Sequence, residues 1–142
     1  MDQTTDCIFC KIAEGTAQAE VVYRDDMVTA FMDIHPINPG HVLVIPNKHT
    51  PDLEGLPAGY GKHLFITAQK LAAALRQTDL NPDGINLLLA DGEAAGQTVF
   101  HLHLHVLARY DGDGFGFRHG GNPQPGEAQP AEVASMLRGV LS

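Results

Sequence analysis

The sequence is poor in positive charge. Nine Lys and Arg residues face 17 Asp and Glu, for a formal net charge of −8. Proteins that track a phosphate backbone carry a basic face, so this balance argues against nucleic acid as the main partner. It leaves room for a small anionic ligand, because a few local groups outweigh a distant field that salt screens over about 8 Å. Long apolar runs are missing as well. Stretches such as Val42 to Pro46 are far shorter than the ~20 residues of a membrane span, and no membrane association is expected. The first residues, Met1 to Asp6, are polar and acidic. They lack the basic segment and apolar core of a secretory signal, so cytoplasmic residence is the expectation. Cysteine is confined to Cys7 and Cys10. In a reducing compartment this C-x-x-C pair suits a shared metal or a redox dithiol better than a disulfide. No internal repeat is visible.

What is present is enough for a core. At 142 residues, 44% of them apolar, residues 1–142 are expected to form one domain that hides roughly 68–70% of the surface its unfolded chain exposes. The core is expected over about residues 7–109, with 110–142 a Gly/Pro-rich arm and a C-terminal segment. Residues 7–13 suit a short helical turn, with Ile8 and Ile12 four apart. Val21–Arg24 and Met27–Met32 read as strands across a tight turn at Asp25-Asp26. Two prolines and a glycine make residues 33–40 a loop. His41–Pro46 is rich in β-branched residues and reads as a strand. Over Gly59–Gln77, Leu64, Ala68, Leu71, Ala72 and Leu75 recur at helical spacing. A strand follows at Ile85–Leu89, then a small-residue loop at Asp91–Gln97 and a strand over Thr98–Arg109. After the arm, Pro130–Leu141 suits a closing helix with Pro at an early position. Strands, one main helix, then strands predict an antiparallel α+β domain.

The most informative segment is His101-Leu102-His103-Leu104-His105-Val106-Leu107. On a strand, alternate side chains share a face, so the three imidazoles point one way and Leu102, Leu104 and Val106 the other. Three protonated rings on one face would repel one another, so some must be neutral, metal-bound or paired with an anion. A His-rich exposed face and a catalytic zinc built from an H-x-H pair plus a third histidine are the alternatives to a metal-free reactive site.

The pattern His-φ-His-φ-His-φ-φ, with φ apolar, resembles the signature of the histidine triad superfamily. Phe31-Met32-Asp33-Ile34, Pro39-Gly40 followed by His41–Pro46, and Gly96-Gln97-Thr98-Val99 also resemble that family's stretches, in the same order. Together they cover most of residues 7–109. The resemblance implies an antiparallel sheet of about five strands with one main helix, joined to a second copy in a homodimer. It implies hydrolysis at the α-phosphate of a nucleotide conjugate, such as a purine phosphoramidate or adenylate, with release of the monophosphate. His103 would be the nucleophile, His105 the group at the leaving atom, and His41 a partner in the relay. Neutral imidazole is nucleophilic near pH 7, and the phosphoramidate it forms is labile.

Other positions follow from the same resemblance. Gly96, Gln97 and Thr98 would contact the phosphate, and their residue types suit a nest of backbone N–H groups with a hydroxyl beside it, or a plain turn. Asp33 would take ribose hydroxyls and Ile34 would pack on the base, although Asp33 also suits a turn former. Phe9 and Phe31 suit a cavity wall or the core. Ala90 departs from the family, where Asn or Gln faces the leaving group or phosphate, so leaving-group preference does not carry over. Bacterial members complete a Cys pair with two histidines, which here implies a structural zinc on Cys7, Cys10, His49 and His101. No role is expected for His35, His63 or His119. A dinucleoside polyphosphate hydrolase and a nucleotide-binding interaction module with little turnover are the rival functions.

Overall fold

The computed structural model describes residues 6–117 and 129–142. Val21–Arg24 (β1) and Val28–Met32 (β2) form an antiparallel hairpin with an irregularity between Val21 and Tyr23. Its turn is tied by Asp25, whose carboxylate accepts the N–H groups of Met27 and Val28 at 2.8 and 2.9 Å, the local bonding that makes Asp a turn residue. His41–Pro46 (β3), Gly84–Leu89 (β4) and Leu104–Arg109 (β5) complete a five-stranded antiparallel sheet in the order β1-β2-β3-β5-β4. The central strand β3 is buried along its whole length. That is why it reads as an unbroken apolar run rather than an alternating one.

Two layers of apolar side chains follow from the pleat. Val28, Ala30, Val42, Val44, Val106 and Ala108 pack against Leu64, Ala68 and Leu75 of Ala58–Arg76 (α2). On the other face Phe31, Leu43 and Ile45 pack against Phe9 and Ile12 of Ile8–Glu14 (α1). Each large apolar side chain buried in this way stabilises the fold by roughly 1.5–3 kcal/mol. Leu43 pairs with His105, and His41 with Leu107, so His41 and His105 lie on the α1 face of adjacent strands.

The α+β class and the main helix are as expected. One boundary differs, and two helices carry exposed apolar residues. The strand expected from Thr98 begins only at Leu104, because the Leu102 N–H donates to the Thr50 carbonyl at 2.7 Å instead of joining the sheet. The apolar stripe of α2 covers its own sheet, and Phe65 and Ile66 are the exposed large apolar residues of that helix. Pro130–Leu141 (α3) is a helix, but none of its residues is buried. The greater part of the expected arm, with Arg118 and His119, lies outside the described residues. Among the described residues no helix is long and apolar enough to cross a membrane.

Candidate functional site

The chain enters β3 through Gly40, whose φ is +88° and whose Cα lies so close to β5 that an added Cβ would meet the Ala108 Cβ at 2.9 Å. Only glycine suits both demands. The turn sets His41 as the first residue of β3, where it is buried. Its Nδ1 accepts the Ile37 N–H at 3.1 Å, and its Nε2 lies 2.8 Å from His105 Nδ1 and 3.5 Å from Asp33 Oδ2.

These contacts assign the protons. A neutral imidazole has one donor and one acceptor nitrogen. With Nδ1 accepting, His41 carries its proton on Nε2 and donates it to His105 Nδ1. His105 therefore carries its own proton on Nε2. His103 is bonded in the opposite sense: its Nδ1–H donates to the His101 carbonyl at 2.9 Å, which leaves Nε2 with the lone pair. Burial, together with the charges of His103 and His41, pushes His105 down to about 4 against the opposing pull of Asp33. Burial likewise lowers His41. The relay rings are thus neutral near pH 7. Phe9 packs edge-on against the His103 ring, with centroids 5.1 Å apart, so it belongs both to the core and to the wall of the site.

Two cavities meet at His105. The larger, about 450 Å³, has Phe9, Phe31, Asp33, Ile34, Thr98 and His103 in its lining. The smaller, about 290 Å³, lies beside Ala90 and Gly96. Of the three residues expected at a phosphate, Thr98 therefore shares a cavity with His103, whereas Gly96 lines the other. Gln97 faces neither: its Oε1 accepts the Gly92 N–H, and its Nε2 donates to the Pro51 and Val99 carbonyls. The N–H groups of Gly96 and Gln97 are bonded to Glu93 and Gly92 within the turn. Residues 92–97 thus form a hydrogen-bonded turn that leads into Thr98. Asp33 forms a turn, its Oδ1 accepting the His35 N–H at 2.8 Å, and it also lines the larger cavity. Sequence reasoning missed Ile8 and Ile12 as cavity walls. Their four-residue spacing on α1 was the available signal.

Behind the triad, Cys7, Cys10, His49 and His101 bring four ligand atoms within 4.8 Å of one another. Cys7 Sγ lies 3.3 Å from His101 Nδ1, and Cys10 Sγ lies 3.2 Å from His49 Nδ1 and 3.5 Å from His101 Nδ1. A tetrahedral zinc with ordinary bond lengths sets sulfur–nitrogen edges of about 3.5 Å, so these residues could hold one. The tautomer agrees. His101 Nε2–H donates to the Pro46 carbonyl at 2.7 Å, which turns the Nδ1 lone pair toward the sulfurs.

Asp33, His41 and His105 also gather within 4.8 Å, but His41 Nε2 bears a proton and is no ligand. His63, for which no role was expected, anchors α2 to the β1–β2 turn through Asp25 at 2.6 Å. Several interactions hold that carboxyl well below the usual range despite the opposing effect of burial, first among them the His63 bond. Arg109 is engaged by Asp113 at 2.8 Å and by Asn86 at 2.6 Å, so it is not a phosphate-tracking cation.

The HIT domain family matches residues 14–112. An uncharacterized HIT-like protein of Borreliella burgdorferi is 42% identical over 116 residues, 81% of this chain and 84% of that protein. The adenylylsulfatase HINT3 of Arabidopsis thaliana is 36% identical over 108 residues, 76% of this chain and 54% of its own length. Among solved structures, a HIT family protein from Bacillus anthracis matches with a TM-score of 0.82 and 38% identity, covering 96% of this chain and 95% of that one. A Zn-bound histidine triad family protein from Mycobacterium smegmatis matches with a TM-score of 0.76 and 38% identity, covering 97% and 94%. The chain belongs to the histidine triad (HIT) family.

Proposed function

We propose that the protein is a nucleotidyl hydrolase that forms a covalent nucleotidyl-histidine at His103 and releases a nucleoside monophosphate. The observation that carries this reading is the order of protons along the triad. His103 offers an Nε2 lone pair, and His105, next to it with ring centroids 5.0 Å apart, offers an Nε2–H supported from behind by His41. A nucleophile beside an acid of this kind suits displacement at phosphorus.

The steps balance. The His103 Nε2 lone pair forms a bond to the α-phosphorus, and the bond from phosphorus to the leaving atom breaks. The leaving atom keeps the electron pair and takes the proton of His105 Nε2. The negative charge this leaves on the His105 ring, held by the His41 N–H, is balanced by the positive charge the His103 ring gains on bonding phosphorus. A water molecule then attacks the same phosphorus and returns a proton to His105, and the bond from phosphorus to His103 breaks. Thr98 and Asp33 line the cavity that suits the nucleotide half, with Ile34, 81% exposed at its rim, free to pack on a base. Gly96 and Gln97 act through the turn that holds Thr98.

Cys7, Cys10, His49 and His101 would hold a structural zinc that pins α1 and the His49 loop to the segment bearing His103. Four protein ligands leave no open position for a catalytic water. The zinc in the Mycobacterium smegmatis relative supports this reading, and the adenylylsulfatase relative supports hydrolysis of an adenylyl conjugate. The open edge of β4, with Phe65 and Ile66 exposed on α2, supports a homodimer with joined sheets.

The test is the intact mass of wild type and His103→Ala after brief mixing with an adenosine 5′-phosphoramidate. Wild type should gain an adenylyl group or release AMP at once, and His103→Ala should do neither, with turnover reduced at least about 10³-fold. Full turnover by His103→Ala would sink the covalent reading.

A further inference from the structure

The 2.8 Å bond between His41 Nε2 and His105 Nδ1 can run in either direction, since each neutral imidazole has one donor and one acceptor nitrogen. If His41 donates, His105 keeps its proton on Nε2, where a leaving atom can take it. If His105 donates, its Nε2 is left with a lone pair and has nothing to give. The bond itself does not choose. The choice is made at the outer nitrogen of the pair, His41 Nδ1, by the Ile37 N–H at 3.1 Å. Asp33 Oδ2, 3.5 Å from His41 Nε2, favours the same direction.

That N–H comes from a loop with few ways to place it. Pro36 and Pro39 have no N–H, so within residues 36–39 only Ile37 and Asn38 can donate from the backbone. The loop closes on itself through the Asp33 N–H and the His41 carbonyl at 3.0 Å, but Ile37 is 42% exposed and packing alone does not fix it. The anchor is the next residue. Asn38 Nδ2 donates to the Ala108 carbonyl at 3.0 Å and to Asp113 Oδ2 at 2.8 Å. Both acceptors are themselves held. Ala108 lies in β5, and its N–H donates to the Gly40 carbonyl at 3.1 Å. Asp113 has 8% of its side-chain surface exposed, and it accepts from Arg109 Nε and Nη2 and from the N–H groups of Tyr110 and Phe115. The Arg109 bond, first among several, holds the Asp113 carboxyl well below the usual range, so it remains an acceptor in mild acid. On the far side of Asn38, the Tyr110 hydroxyl donates to the Pro39 carbonyl at 2.9 Å.

We propose that Asn38 is a positioning residue for the relay: its amide ties the loop to β5 and Asp113, and so keeps the Ile37 N–H on His41 Nδ1 and the acid proton on His105 Nε2. The effect on rate rests on the hydrolase reading above, whereas the effect on the protons rests on geometry alone. Asn38 is not in the lining of either cavity at His105, so its side chain acts through the loop. Loss of the anchor depopulates the productive direction of the His41–His105 bond and removes no group from the site. It therefore weakens the step in which His105 gives up its proton.

The experiment is nitrogen NMR of the full chain at a pH where imidazole is neutral, with the His41 signals assigned by His41→Gln. In wild type, His41 Nδ1 should resonate as an unprotonated nitrogen and Nε2 as a protonated one. In Asn38→Ala the two should move toward each other as the opposite direction of the bond gains population. Asn38→Asp keeps the shape but sets a carboxylate against Asp113, so it should disturb the pattern further. Asn38→Ser, with one hydroxyl donor, should recover part of it. Turnover should follow the same order. With an adenosine 5′-phosphoramidate, whose amine leaves only when protonated, Asn38→Ala should lower kcat several-fold with KM nearly unchanged. With the p-nitrophenyl ester of AMP, whose phenolate leaves as an anion, the loss should be much smaller. An unchanged nitrogen pattern at His41 in both Asn38→Ala and Asn38→Asp overturns the proposal, and so does an equal loss for the amide and the ester. No adduct and no turnover by wild type with either substrate overturns the hydrolase reading, and the nitrogen pattern then still decides the role of Asn38.

Discussion

Among the described residues, two places gather histidines with an anionic ligand type inside the same 4.8 Å, and they suit opposite chemistry. In the first, His101 gives its Nε2–H to the Pro46 carbonyl, and its Nδ1 lone pair faces two sulfurs. In the second, His41 takes the Ile37 N–H on Nδ1, and its Nε2 proton points at His105. A backbone acceptor behind the ring prepares a metal ligand, whereas a backbone donor behind the ring prepares a proton donor. Residue type and spacing alone would class both as metal sites. The polarity of one backbone hydrogen bond separates them.

The comparison breaks hardest at the sulfurs. Cys10→Ser should lose bound zinc, measured by metal analysis, and lower Tm by about 10 °C, the effect of a few kcal/mol on a domain of this size. Retained zinc with an unchanged Tm would mean that the cluster is a plain pair of thiols and rings. The relay should respond differently. His41→Ala should lower kcat about 10²-fold without changing zinc content, while His41→Gln, which keeps an N–H donor near His105, should recover part of that loss. Equal loss in both variants would show that His41 serves packing rather than proton placement.

The smallest and most gradual effect is that of acid. His105 sits at about 4 instead of its ordinary value near 6.5, so its neutral form belongs to the folded state. Its contribution to stability is complete above about pH 6.5 and is lost as pH falls toward 4, because the unfolded chain takes the proton first. His41, also lowered, adds to the same slope. Urea midpoints over this range should fall, and His105→Gln should flatten the fall. A midpoint that rises on acidification would mean that the rings are stabilised charged, as partners of Asp33.

Much of this was legible in the residues. The helical stripe over Leu64–Leu75 and the apolar run at Val42–Ile45 are local periodicities, and local periodicity survives folding. The pair Cys7-x-x-Cys10 and the alternation of His101, His103 and His105 were legible for the same reason. The strand start at Leu104 was not. It depends on the Thr50 carbonyl capturing the Leu102 N–H, a contact with no trace in the 98–103 segment itself. The bonding of Gln97 was not legible either, since an amide in a Gly-rich loop gives no sign that it closes the loop upon Pro51 and Gly92.

By itself, then, the sequence determined the α+β class, the family resemblance and the spacing of the thiol pair and of the three alternating imidazoles, because each depends on residue type and on spacing within one element. Tertiary structure decided which nitrogen of each imidazole holds its proton. His101 meets a carbonyl 55 positions away in the chain, and His41 meets a ring 64 positions away. Tertiary structure also decided that Ile37, Leu88 and Phe117 line one cavity with His105. Hydrogen-bond polarity and cavity shape come from backbone groups brought together by the β3–β5 pairing and the loops around it, and no local pattern encodes them.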